Sequence, residues 1–189
     1  MSLPATNRQQ AILTARQVLA QKPVYLDTET TGLDRTSEII EICLVDDDDQ
    51  ALYDSLVRPS QPIPADAIAI HHISNDMVKS APTWPVIWPV VRSKLAGQVI
   101  AIYNEEFDLR LIQQSHGRYR LPWRENLKTF CIMKLYSRFR GVWDPIRRSY
   151  RYFSLEEAGR QCNIPIPNSH RALDDTRLAR ALLHYIANQ

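Results

Sequence analysis

The chain is short of cysteine, of long apolar runs and of low-complexity stretches, and each shortage excludes something. Three cysteines (Cys43, Cys131 and Cys162) make an odd number with no C-x-x-C spacing, which argues against zinc and for buried free thiols in a reducing compartment. Apolar stretches such as Ala67–Ile70 and Val99–Tyr103 are far too short to span a bilayer, so no membrane partner is expected. The opening residues, MSLPATNRQQAILTARQVLAQ, scatter polar and basic side chains where a secretory signal needs an uninterrupted apolar core. They read instead as an amphipathic helix with Ile12, Leu13, Val18 and Leu19 turned inward. A cytoplasmic location follows. No internal repeat and no Gly- or Ser-rich linker divides the 189 residues, enough for one domain with a full core. The expected organisation is a helical extension over residues 1–22 and one domain over residues 23–189.

Net charge is only +2, but its distribution is uneven. Residues 24–54 hold ten acids and one base, Arg35. Residues 118–151 hold ten bases against two acids, Glu125 and Asp144, with seven aromatics interleaved. Mixed basic and aromatic residues suit a single-stranded nucleic acid, with phosphates on the bases and rings under the nucleobases. The same composition also suits aromatics in a core beneath a solvated basic face.

Three strand-like runs, PVYLDT, EIIEICLV and ALYDSLVRP, follow the first helix, with DDDDQ as a solvated turn between the last two. Residues 60–80 read as irregular and proline-bearing. The helix TWPVIWPVVRSKLAG, with a kink expected at Pro89, leads to the strand QVIAIYN and the helix EEFDLRLIQQSH. A strand near 127–132, a helix near 133–139, a loop, the helix SLEEAGRQC capped by Ser154, and a last helix from about His170 to Ala187 complete the chain. A strand meander followed by alternating strand and helix predicts an α/β domain with a mixed central sheet.

The acids concentrate the chemistry. In VYLDTETTGLD, residues 24–34, Asp27 and Glu29 are two apart on a strand, so they share one face while Thr28 points away. Burying either carboxylate unpaired costs several kcal/mol or more, so the pair calls for a cation. Asp108 lies one turn into the helix after QVIAIY, where α/β sheets place their sites. His170 and Asp175 sit together in SHRALDDTRLA. An all-oxygen set of Asp27, Glu29, Asp108 and Asp175 suits Mg²⁺ or Mn²⁺ rather than zinc. At a helix start His170 would stay neutral and able to accept a proton. Singly, a D-x-E or an H-x-x-x-x-D occurs often by chance; the ordered set does not.

That ordered set, DTETTG after one strand, NEEFD after a second and HRALDD opening the last helix, resembles the three motifs of the DEDDh 3′–5′ exonucleases. These form the DnaQ-like superfamily, which includes polymerase proofreading subunits and ribonuclease T. The resemblance runs from about Val24 to His184. It implies a ribonuclease H-like fold: a five-stranded mixed sheet with helices on both faces. It implies two Mg²⁺ or Mn²⁺ ions per site, with Asp27 bridging them, Glu29 and Asp175 on the water side, and Asp108 on the other. His170 would be the general base, and Asp174, the ambiguous acid, would face outward and help orient the imidazole. AIHHISNDMV resembles the family's substrate loop, usually His-Gly-Ile-Thr, so His71 would contact the terminal nucleotide; here His72 replaces the glycine and Ser74 the threonine. Thr30, Leu33, Asn104 and Phe107 would line the 3′-terminal sugar and base, although Phe107 equally suits core packing.

The implied partner is nucleic acid with a 3′ end, released as 5′-mononucleotides. Single-stranded DNA is the preferred substrate and RNA the alternative, because no motif decides how a 2′-hydroxyl is treated. An inactive binding protein is disfavoured because all five motif residues are present. Proofreading subunits carry a tail beyond the last helix, and this chain stops at Gln189, which favours a free-standing nuclease. Beyond the motifs, FRGVWDPIRRSYRY, residues 139–152, lacks either regular period and is expected to be a loop, with turns at Gly141 and Pro145. There Arg147, Arg148 and Arg151 would meet phosphates and Trp143 or Tyr150 would stack on a base; the alternative is that Trp143, Tyr150 and Tyr152 pin the loop to the domain while the arginines solvate it.

Overall fold

The computed structural model describes residues 6–189. Its five-stranded sheet is built from β1 (Val24–Thr30), β2 (Ile39–Val45), β3 (Ala51–Leu56), β4 (Val99–Ile102) and β5 (Lys128–Cys131), in the order β3-β2-β1-β4-β5. β2 runs antiparallel to both β1 and β3, and β1, β4 and β5 are parallel. The sheet is mixed and five-stranded, as the ribonuclease H-like resemblance implies. Two-residue alternation sorts its side chains. Tyr25, Val99 and Ala101 face one layer, made of α1 (Asn7–Leu19), α6 (Ile132–Arg140), α7 (Leu155–Gln161) and α8 (Ala172–Ala187). Val24, Leu26, Ile100 and Ile102 face the other, where α4 (Trp84–Leu95) and α5 (Glu105–Arg118) bring Trp84, Ile87, Val91, Leu111 and Ile112. Each large apolar side chain buried in these layers contributes about 1.5–3 kcal/mol. Cys43, Cys131 and Cys162 are buried free thiols. Among the described residues no helix is long and apolar enough to cross a membrane.

Four local expectations need correction. α1 begins at a capping box between Thr6 and Gln9, but its inward stripe is Ala11, Ala15 and Val18, and Leu13 is 47% exposed. Small alanines let α1 lie close against α6 and α8; Ile12 and Leu19 only flank that contact. Residues 1–5 of the expected N-terminal extension lie outside the described residues. Residues 60–80 are not irregular throughout: they hold α2 (Ala65–His71) and α3 (Asn75–Val78), the latter capped by the Ser74 hydroxyl. The last helix starts at Ala172, two residues after His170, whose φ is +53°. In the expected 139–152 loop, Phe139 and Arg140 finish α6, Gly141 ends it at φ +67°, and β6 (Trp143–Asp144) pairs with β7 (Ser149–Tyr150) as a short hairpin. Two residues per strand are too few for a period to be visible.

Candidate active site

Strand alternation decides which acids meet. Asp27 and Glu29 follow Tyr25 on the face that α8 covers, and Asp175 lies in the first turn of α8. One carboxylate oxygen from each of Asp27, Glu29 and Asp175 falls within 4.8 Å of the others. Asp108 is almost fully buried on the α5 side and is not one of that trio, yet among the acids its charge weighs most on Asp27. The hydroxyl of Thr28 points to that side and donates to Asp108 Oδ1 at 2.8 Å. Thr28 does point away from the acid pair; what sequence reasoning missed is that it points at the fourth acid.

Asp175 is oriented before any ligand arrives. The Asn168 side-chain amide donates to Oδ2, and the Ser169 N–H donates to Oδ1 at 3.1 Å. Asp174 instead accepts from the Ser169 hydroxyl at 2.7 Å, and among the described residues it makes no hydrogen bond to the His170 ring. His170 is exposed on the lip of the site, and among the described residues its imidazole makes no hydrogen bond. Starting before the helix rather than within it, His170 does not sit in the first turn of α8. A non-glycine residue in the left-handed region costs of order 1 kcal/mol or more and persists where its neighbours over-determine it.

All four acids are pushed above the ordinary carboxylate range. Burial is the first cause for Asp27, followed by the charges of Asp108, Glu29 and Asp175. Glu29 is raised to about 8, by burial and then by Asp175. Burial raises Asp108, and the Thr28 hydroxyl works against it. Asp175 rises through burial, opposed first by Asn168. Arg171 relieves Glu29 in part, but it is paired with Glu41. Hard oxygen donors packed this closely with too little positive charge fit a divalent cation of the Mg²⁺ or Mn²⁺ class.

A cleft of about 580 Å³ opens beside the acids, lined by Glu29, Thr30, Leu33, His71, Phe107 and His170 among others. Leu33 is 78% exposed at its rim. His71 is buried; the Ile73 N–H donates to its Nδ1 at 3.0 Å, which leaves the proton on Nε2, and among the described residues Nε2 makes no hydrogen bond. Burial also lowers the His71 pKa, so the ring is neutral near pH 7. His72, in the family's glycine position, closes α2 at φ +60°, the conformation glycine adopts freely. Thr30 spends its hydroxyl on the carbonyl of Gly32 at 2.7 Å and so shapes the turn under Leu33.

Other expected substrate residues are not gathered there. Asn104 precedes α5 as its N-cap at φ +66° and does not line the cleft. Arg147, Arg148 and Trp143 belong to the β6–β7 hairpin. Trp143, 55% exposed, stands edge-on to Tyr150 with ring centroids 5.5 Å apart. It borders a second groove of about 260 Å³ with Lys134 and Arg138, two of the bases of the basic and aromatic segment, and with Tyr152. Lys134 pairs with Glu106 at 2.7 Å and Glu105 at 3.4 Å in the first turn of α5, the turn that also carries Asp108.

The family model described as "Exonuclease" matches residues 24–183. The uncharacterized exonuclease CP81 of Escherichia phage 186 is 37% identical over 180 residues, covering 92% of each chain. Exodeoxyribonuclease 10 of Escherichia coli K12 is 33% identical over 169 residues, 86% of this chain and 67% of that one. Among solved structures, exonuclease X in complex with 5′-overhanging duplex DNA superposes with TM-score 0.61 at 31% identity, covering 87% of this chain and 90% of that one. The structure of exonuclease I, at 14% identity and TM-score 0.72, shares the fold. With its DEDDh residues carried on a ribonuclease H-like sheet, the chain belongs to the DnaQ-like exonuclease family of divalent-metal-dependent nucleic-acid hydrolases.

Proposed function

We propose that the protein is a 3′–5′ exonuclease that shortens single-stranded DNA, releasing 5′-mononucleotides by two-metal hydrolysis. The observation that carries this reading is the acid trio beside a cleft whose lip holds His170. DNA is favoured because two relatives above 30% identity are an exodeoxyribonuclease and a nuclease complexed with DNA. Residues 1–22 are read as a helical extension of a catalytic domain over 23–189, a division supported by a family match that begins at residue 24.

Asp27, Glu29, Asp108 and Asp175 would hold two Mg²⁺ or Mn²⁺ ions, which would supply a water of lowered pKa and charge stabilisation at the scissile phosphate. Asp27, flanked by the other acids, is the residue that both ions would share. His170 takes a proton from the attacking water; the water oxygen bonds to phosphorus as the bond from phosphorus to the 3′-oxygen breaks. Its exposed, unpartnered ring on the cleft lip suits that task. His71, with Nε2–H free, offers a buried donor to the terminal nucleotide, while Leu33 and Phe107 give apolar surface to its sugar and base. Arg147 and Arg148 would hold upstream phosphates and Trp143 would stack on a base, as an arm rather than as part of the cleft.

The test is metal-dependent degradation of single-stranded DNA. Activity should vanish in EDTA and return with Mg²⁺ or Mn²⁺. Asp27→Ala, Glu29→Ala, Asp108→Ala and Asp175→Ala should each remove nearly all of it in a folded protein. Full activity in EDTA, or in any two of these variants, would sink the assignment.

A further inference from the structure

Glu41 is an acid in the middle of an otherwise apolar strand, buried on β2 directly across from Glu29. Beside three metal-binding candidates it looks like a further ligand, yet both of its oxygens are taken. Oε1 accepts from Arg171 Nη2 at 2.5 Å and Nε at 3.1 Å. Oε2 accepts from Arg171 Nε at 3.1 Å and from the Ala172 N–H at 2.9 Å. The guanidinium fork and the first amide of α8 therefore close on one carboxylate. Lysine has no fork with which to copy this.

The chain just before this clamp is held as well. Ser169 is tied through its N–H to Asp175 and through its hydroxyl to Asp174. Between the two anchors lies one residue, His170, in the left-handed conformation. Its imidazole has no hydrogen bond of its own among the described residues, so the place of the ring is inherited from its backbone. The far anchor stands on the strand paired with β1, opposite Glu29. One strand pair thus carries both the acids and the hold on the histidine.

We propose that Glu41 and Arg171 form a latch that positions His170 over the acid trio, and that Glu41 is a positioning residue rather than a metal ligand. The inference rests on reading His170 as the general base. Misplacing such a group by about 1 Å costs about 10²-fold in rate, so breaking the latch should lower kcat while leaving KM and metal affinity in place.

The experiment uses Arg171→Lys, which keeps the charge, and Glu41→Gln, which keeps an acceptor for Ala172. Each should lower kcat on a 3′-labelled single strand about 10- to 100-fold, with KM unchanged and Mn²⁺ affinity changed far less than kcat; Glu41→Gln, which leaves Arg171 without its buried partner, should also lower the melting temperature. Placed in a His170→Ala background, neither should slow the enzyme further. Independently of turnover, bound Mn²⁺ should broaden the His170 imidazole proton resonance in the wild type and broaden it much less in both variants. That arm decides the latch even if the wild type shortens no strand, an outcome that would instead sink the exonuclease reading. The latch is overturned if kcat and broadening are unchanged, or if the variants slow His170→Ala as much as wild type. It is also overturned if Mn²⁺ affinity falls in step with kcat, which would make Glu41 a ligand.

Discussion

Glu29→Gln should stabilise the metal-free protein while abolishing its activity. Glu29 is held at about 8 by burial and by Asp175, against an ordinary value of 4.5. The folded protein therefore binds a proton that the unfolded chain releases, so this group favours folding only below about pH 4.5. That advantage disappears progressively as pH rises toward about 8. At about pH 7.5 the full shift amounts to at most about 4 kcal/mol of destabilisation, at about 1.36 kcal/mol per pH unit. Relaxation and residual water reduce it, so a recovered 1–2 kcal/mol, or roughly 2–8 °C in Tm, is the expected gain for a domain of this size. The assay is thermal unfolding in EDTA from about pH 5 to pH 8. Wild-type Tm should fall across that range and Glu29→Gln should flatten the fall. Mg²⁺ should reverse the order, raising wild type more than the variant, because binding to the folded state alone adds stability. A variant that is less stable than wild type in EDTA at about pH 7.5, or one that gains equally from Mg²⁺, would refute the reasoning.

Three further outcomes are expected. His170→Ala should slow turnover by about 10² or more while keeping Mn²⁺ affinity by calorimetry, and Asp174→Ala should matter far less than Asp175→Ala; reversal of that rank would move the third motif by one residue. Arg147→Ala/Arg148→Ala should weaken binding of a long single strand and flatten its log–log salt dependence by up to about 1.4 units, with catalysis on a dinucleotide unchanged; equal effects on both substrates, or none, would remove the arm from substrate binding. In Gly159→Ala the new Cβ would sit 2.9 Å from Leu178 Cδ1 in the packed α7–α8 contact, so chemical unfolding should show a loss of about 1–3 kcal/mol with kcat retained, whereas a neutral result would mean that Leu178 yields freely.

The acid motifs were legible because each is local. Asp27 and Glu29 announce themselves by two-residue spacing on an apolar strand, and Asp175 by its place at the start of an amphipathic helix. What joins the motifs was not legible. The Thr28–Asp108 hydrogen bond spans 80 positions, and the Arg171–Glu41 pair spans 130. A signal for the second did exist, since Glu41 interrupts EIIEICLV at a position that faces Glu29 in the hairpin register. Backbone conformation was harder still. The left-handed turns at His72 and His170 involve residues that do not advertise positive φ as glycine does. Leu13 misled for a different reason: hydrophobicity favoured it for the inner face, but close packing of α1 on α6 and α8 selected the alanines instead.

The central claim is the direction and product of the reaction. A single-stranded DNA carrying a label at its 5′ end, and the same strand labelled at its 3′ terminal nucleotide, should be digested in parallel with Mg²⁺. The 3′ label should appear at once as a 5′-mononucleotide, while the 5′-labelled strand shortens through a ladder one nucleotide at a time. Early release of the 5′ label, internal cleavage fragments, or a product bearing a 3′-phosphate would contradict the account.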